Sequence, residues 1–255
     1  MENNQNQIES KPYIGYEALK RRNQLNLTCP IEFSQITNFD EMNLLWEFIF
    51  DSNLIKPENK LIHLTESAAN SNSNREEILE RFFEDFLVGG CYISISAVLA
   101  LFASGRTTGC VIDMGDSTIE SISVFEGFGY RNSANKSDIG GRVLTSYLSD
   151  ILCESDIALT SFSEIDVCNH IKETETYIAL EYEEELLEFR ADFTDKSKSV
   201  YYELPDGSRI NFGNQQIKCP EVLFKPNLIE KFNIAGIQHL VTDTIQKSED
   251  FLTRP

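Results

Sequence analysis

The run from Cys110 to Phe125 constrains this chain more than any other stretch. Cys110–Asp113 is a string of small and branched apolar residues that predicts a strand. A tight turn follows at Gly115, and Ile119–Phe125 then alternates through Ile122 and Val124 as a second strand. Just upstream, Tyr92–Ile95 predicts another strand and Ser96–Ser104 an apolar helix that ends at Gly105. Strands interleaved with helices in this way imply an α/β fold.

The same pattern extends in both directions. Leu25–Ile31 predicts a short strand running into a turn at Pro30. A helix from Asn38 or Asp40 carries Met42, Leu45, Trp46, Ile49 and Phe50 on one face. Leu61–Leu64 predicts a strand. Asn74 is placed to cap a helix from Arg75 that runs through Ile78, Leu79, Phe82, Phe83 and Phe86 and stops before Gly89-Gly90. Helices are expected over Gly141–Cys153 and Glu164–Tyr182, and the acidic run Glu181–Glu188 reads as a solvated face over an apolar stripe. Val200–Leu204, Pro205-Asp206-Gly207 and Arg209–Phe212 predict a hairpin.

Composition narrows the function classes. Among 255 residues, 22 Lys and Arg face 41 Asp and Glu, a net charge of −19 that repels nucleic-acid phosphates and anionic lipid. The hydrophobic share of 41% supplies a sizeable core. The longest apolar stretch, Cys91–Ala103, is shorter than the roughly 20 residues a spanning helix needs, so no membrane insertion is expected. Met1–Lys11 is polar and has neither a signal-peptide core nor Arg. Six scattered cysteines without a CxxC pair read as buried thiols in a reducing compartment. Together these predict a soluble, cytoplasmic chain.

Several runs, in order and in register, resemble the actin family: Ala97–Gly109 (AVLALFASGRTTG), Val111–Gly127 (VIDMGDSTIESISVFEG), Asp138–Leu148 (DIGGRVLTSYL) and Tyr202–Cys219 (YELPDGSRINFGNQQIKC). Shorter matches at Tyr13-Ile14-Gly15, Pro30-Ile31-Glu32, Leu64-Thr65-Glu66 and Ile171-Lys172-Glu173 extend the likeness from Tyr13 to about Lys247. The resemblance implies an actin-like ATPase (ribonuclease H-like) fold with two lobes around a cleft for ATP or ADP with Mg²⁺. By that likeness residues 1–12 form a polar tail, 13–103 part of lobe one and 104–255 part of lobe two. The family's glycine-rich hairpin upstream and its adenosine loop downstream have no counterpart, so the fold is expected to be incomplete at both ends.

Asp113-Met114-Gly115-Asp116-Ser117-Thr118 matches the family's remaining phosphate hairpin; without the resemblance, D-x-G-D reads as an ordinary turn. Backbone amides in such a turn can converge on a phosphate, and Gly115 permits close approach. The carboxylates need a metal between themselves and phosphate, which makes Asp113 the metal-directed residue, with Asp116 beside it. Lys172 and Glu173 match the adenosine-contacting pair, with Gly141 at the cleft. Asp138 fits either a cleft residue or a helix cap. Two departures weaken hydrolysis: Ser96 stands at the family's water-positioning glutamine, and Glu120 at its histidine beside the γ-phosphate. At an effective dielectric of about 20, two charges roughly 5 Å apart repel by about 3 kcal/mol.

The resemblance thus implies a divergent actin-like cytoskeletal protein with weak or absent ATPase activity. Its partners would be other actin-family subunits or actin-binding proteins, the latter at a groove matched by Phe102 and Phe128. The alternative is an ATP-binding, polymerising actin, in which Phe232 and Ile234 keep a plug-like segment apolar.

Overall fold

The computed structural model describes residues 12–154, 157, 162–191, 200–204, 207 and 209–252. Residues 1–11 of the expected tail and Pro205-Asp206 of the expected hairpin turn lie outside them. The first element is the short helix α1 (Tyr16–Lys20). The segment expected as a strand over Leu25–Ile31 is irregular up to Pro30; only a two-residue hairpin forms, β1 (Ile31–Glu32) with β2 (Gln35–Ile36). Asn38 caps α2 (Phe39–Ser52) by accepting from the Glu41 amide.

A parallel pair, β3 (Leu61–Glu66) and β4 (Gly90–Ile95), is connected through α3 (Asn72–Glu84). The cap of α3 is Ser71, not Asn74, whose side chain instead donates to the Ile36 carbonyl and ties α3 to β2. The helix ends at Glu84, short of Gly89, and the chain leaves it through Leu87 at a φ of 52°. Met42 and Trp46 of α2 pack with Ile78, Phe82 and Phe86, the Trp46 and Phe82 rings meeting edge-on at 4.8 Å. Ile49, expected on that buried face, is exposed.

Next come α4 (Ser96–Ala103) and an antiparallel sheet of β5 (Gly109–Met114), β6 (Ile119–Phe125) and β7 (Phe128–Ser137). The alternation of β6 serves two layers. Ile122 and Val124 pack with Ala97, Val98 and Leu101 of α4. Ser121 and Ser123, on the opposite face, bond to α9 (Ile237–Leu252): the Ser121 hydroxyl is 2.6 Å from Thr244 Oγ1, and Ser123 donates to the Thr244 carbonyl at 3.3 Å. Asn135 of β7 adds a 2.7 Å bond to the same Thr244 hydroxyl.

A further core joins α5 (Gly141–Cys153), α6 (Phe162–Glu175), the hairpin of β8 (Val200–Glu203) and β9 (Arg209–Phe212), and α8 (Gln215–Glu221). Leu148, Leu152, Ile171 and Val222 are its fully buried centre, and Phe232 packs against it while Ile234 is exposed. The single helix expected over Glu164–Tyr182 is two helices, because the chain is irregular at 176–179 before α7 (Tyr182–Ala191). In α7 the expected apolar stripe is only partly buried: Leu186 is inside, but Leu187 is 62% exposed. The cysteines are all free thiols; Cys168 and Cys219 are buried, whereas Cys29, Cys110 and Cys153 are exposed, contrary to the reading of them as buried. Among the described residues no helix is long and apolar enough to cross a membrane.

Candidate functional site

The β5–β6 turn is closed by the Gly115 amide donating to the Thr118 carbonyl at 2.9 Å. The amides of Asp116 and Ser117 have no partner among the described residues, so the turn presents two adjacent free donors. Its carbonyls are already used: Gly115 O accepts from the Gly141 amide at 3.0 Å and Asp116 O from the Arg142 amide at 2.9 Å. The first two amides of α5 are therefore capped by the hairpin rather than by a side chain. Such close docking requires glycine at the helix entry. A Cβ at Gly140 would lie 2.3 Å from the Asp116 carbonyl oxygen, whereas the nearest atom to one at Gly141 would be Lys172 Nζ, at 3.3 Å. Gly140 thus makes the closer approach of the two.

The acidic groups divide in two directions. Asp116 turns to Arg142, which donates through Nε at 3.0 Å and approaches with Nη2 at 2.8 Å in an exposed ion pair. Asp113 and Glu120 stand opposite each other in the β5–β6 register, on one face of the hairpin. Both line a cavity of about 290 Å³ together with Ser96, Ser67, Thr118 and Asn70. Ser67 donates to Glu120 Oε1 at 2.5 Å, while Ser96 reaches Asp113 Oδ2 only at 3.5 Å. The Thr118 hydroxyl is 2.6 Å from that of Ser34, which pins the hairpin to the β1–β2 turn.

Glu66, at the end of β3, also lines this cavity; it is buried and receives Arg75, Arg131 and the Asn70 amide nitrogen. The remaining amide oxygen of Asn70 is buried with no partner among the described residues. The cavity lining contains no Lys or Arg, and no three His, Cys, Asp or Glu among the described residues are grouped to hold a metal.

Lys172 and Glu173 lie on α6, apart from that cavity. The Lys172 ammonium donates to Gly141 O at 3.0 Å, Thr145 Oγ1 at 2.9 Å and Asn169 Oδ1 at 2.8 Å, so all three of its donors face oxygens of the chain itself. Glu173 is exposed and accepts from Asn169 Nδ2 at 2.9 Å. Asp138 caps nothing at α5; it lies 3.8 Å from Lys136, which itself donates to the Phe33 carbonyl. The structure therefore groups Asp113, Gly115, Asp116, Ser117, Thr118 and Gly141 around one turn and leaves Lys172 and Glu173 behind Gly141. Arg131, Ser67 and Gly140 carry no local sequence signature; only their long-range contacts reveal them.

Comparison with known proteins gives the family. The family model described as Actin matches residues 1–254. An actin-like protein from Neurospora crassa is 35% identical over 249 residues, covering 97% of this chain and 65% of the relative. The chain thus spans slightly less than two thirds of that relative's length.

Proposed function

The chain belongs to the actin family, and from that premise we propose that it is a divergent actin-like cytoskeletal protein of the cytoplasm. It works mainly through contacts with other actin-family subunits or actin-binding proteins, and its nucleotide site is degenerate. One observation carries this reading: the cavity beside the hairpin holds the carboxylates of Asp113 and Glu120 and no basic side chain. An anionic ligand entering there meets acceptors, with the unpaired oxygen of Asn70 among them. Lys172 would have to give up three internal bonds to reach any ligand. The lack of a basic side chain in the lining and the internal bonds of Lys172 together support a degenerate nucleotide site.

Thermal unfolding with and without Mg-ATP or Mg-ADP tests the reading. No shift at millimolar nucleotide is expected. A rise of several degrees that saturates at micromolar nucleotide overturns it, because a ligand specific for the folded chain must stabilise it.

The free amides of Asp116 and Ser117 favour a second reading, an ATP-binding, polymerising actin with slow hydrolysis. In it these amides and Gly115 hold phosphate, Ser117, Thr118 and Gly141 line the contact, Asp113 directs the Mg²⁺, and Lys172 and Glu173 receive the adenosine. Pelleting in Mg-ATP separates the two, since only the second produces filaments.

A further inference from the structure

Helix α2 is apolar on two sides. Met42 and Trp46 enter the core, but Leu44 and Phe48, one turn apart, are each 40% exposed. Tyr13 faces them, 47% exposed, its ring covered by the Arg21 guanidinium at 4.3 Å and its hydroxyl bonded to Arg21 Nη1 at 2.9 Å. The chain then crosses Phe48 at Gly15, whose φ of 61° favours glycine and where an added Cβ would lie 3.7 Å from the Phe48 ring. Between these walls runs a groove of about 620 Å³.

Of the three carboxylates on the groove, Glu17 pairs with Lys20, whereas Glu47 and Asp51 are exposed and have no ion-pair partner among the described residues. Asp51 lies in the last turn of α2, which contains no basic residue, so its charge opposes the negative end of the helix dipole. A cation placed there relieves both charges. A second copy of this chain would instead bring the same carboxylates and a net charge of −19.

We propose that this groove docks a basic amphipathic segment of a partner protein. The segment's apolar side chains enter between Tyr13 and Phe48, and its Lys or Arg side chains face Glu47 and Asp51. The proposal rests on the reading that the chain works through protein contacts. Failure at the groove leaves that reading standing, whereas stabilisation by Mg-ATP removes that reading without altering the affinities measured at the groove.

The probe is a labelled Leu/Lys peptide of roughly 18 residues, with leucines at helical spacing, titrated against the full chain by fluorescence anisotropy. It is expected to bind, and the E47K/D51K and F48S variants each weaken it about tenfold. E47K/D51K touches only surface positions, so it reports binding even where F48S disturbs the helix. An equal charge reversal at the N-terminal end of α7, E181K/E184K, is expected to leave the affinity within about twofold, because surface charge away from the contact acts mainly on encounter. Equal weakening by both reversals, or equal binding of a scrambled peptide of the same composition, overturns the proposal. So does a gain of about tenfold on deleting residues 1–11, which would assign the groove to the chain's own N-terminal segment. A dimer that F48S dissociates would assign it to a second copy and equally overturn it.

Discussion

Arg131 of β7 donates to the buried carboxylate of Glu66 at the end of β3, joining the parallel strand pair to the antiparallel sheet. Arg75 from α3 reaches the same carboxylate at 3.3 Å, and Arg131 also donates to the Ala68 carbonyl at 3.3 Å. The Glu66 side chain is 3% exposed, so its charge depends on these two guanidinium groups in place of water.

Removing Arg131 as R131M leaves Arg75 in place and is expected to cost about 1–3 kcal/mol. E66Q, which strips the charge that both arginines face, should cost at least as much. Urea unfolding of the purified chain measures both. A change below about 0.5 kcal/mol in each, the range of ordinary surface substitutions, would show that the tie does not hold the two sheets together.

Gly140 and Gly141 are neighbours with opposite expected sensitivities. A methyl group at Gly140 collides with the Asp116 backbone at 2.3 Å, and neither the turn nor the start of α5 can yield without losing their mutual bonds. G140A is therefore expected to destabilise by about 1–3 kcal/mol. G141A approaches Lys172 Nζ at 3.3 Å and touches Asp116 only at ordinary contact distances, so it should cost less, about 1 kcal/mol. Equal melting temperatures for the two variants would contradict this account of the α5 entry.

Lys172 tests whether a residue matched to a ligand contact is now part of the framework. K172M leaves Gly141 O, Thr145 Oγ1 and Asn169 Oδ1 without their shared donor. With no nucleotide present, it should lower stability by about 1–2 kcal/mol. A variant as stable as the parent in ligand-free buffer would return Lys172 to the role of a free ligand contact.

The elements legible in the sequence are those whose local chemistry and tertiary role agree. Ile119–Phe125 alternates because β6 has one aliphatic face against α4, and Gly115 marks its turn. β7 was not legible, since Arg131, Asn132, Ser133, Asn135 and Lys136 give it no apolar alternation; its face toward α9 is polar and satisfied by Thr244. Asn74 has the composition of a cap, but Ser71 takes that role and frees Asn74 to bond Ile36, a choice decided by a contact 38 residues away. At the site, the turn Asp113–Thr118 was readable from spacing, whereas the ion pair that occupies Asp116 and the bonds that occupy Lys172 depend on how α5 and α6 dock.

The buried thiol of Cys219 gives the alkaline limit of stability a definite sign. Burial pushes it from 9.0 up to about 12, and burial first, then nearby Tyr182, Glu154 and Cys219, pushes the half-buried Tyr147 phenol from 10.0 to about 12. Above about pH 9 the unfolded chain loses these protons while the folded chain keeps them, so unfolding becomes progressively favoured. The stability they contribute is fully present below pH 9 and falls as the pH rises toward 12. Urea midpoints should accordingly be flat for these groups near neutral pH and decline through the alkaline range, with C219A showing a shallower decline from its own lower starting point. Thiol labelling near pH 8 offers an independent measure: exposed Cys29 and Cys153 should react at once, and Cys219 only on unfolding. Prompt labelling of Cys219 in the folded chain, or an unchanged alkaline slope in C219A, would contradict its burial in the core shared by α5, α6 and α8.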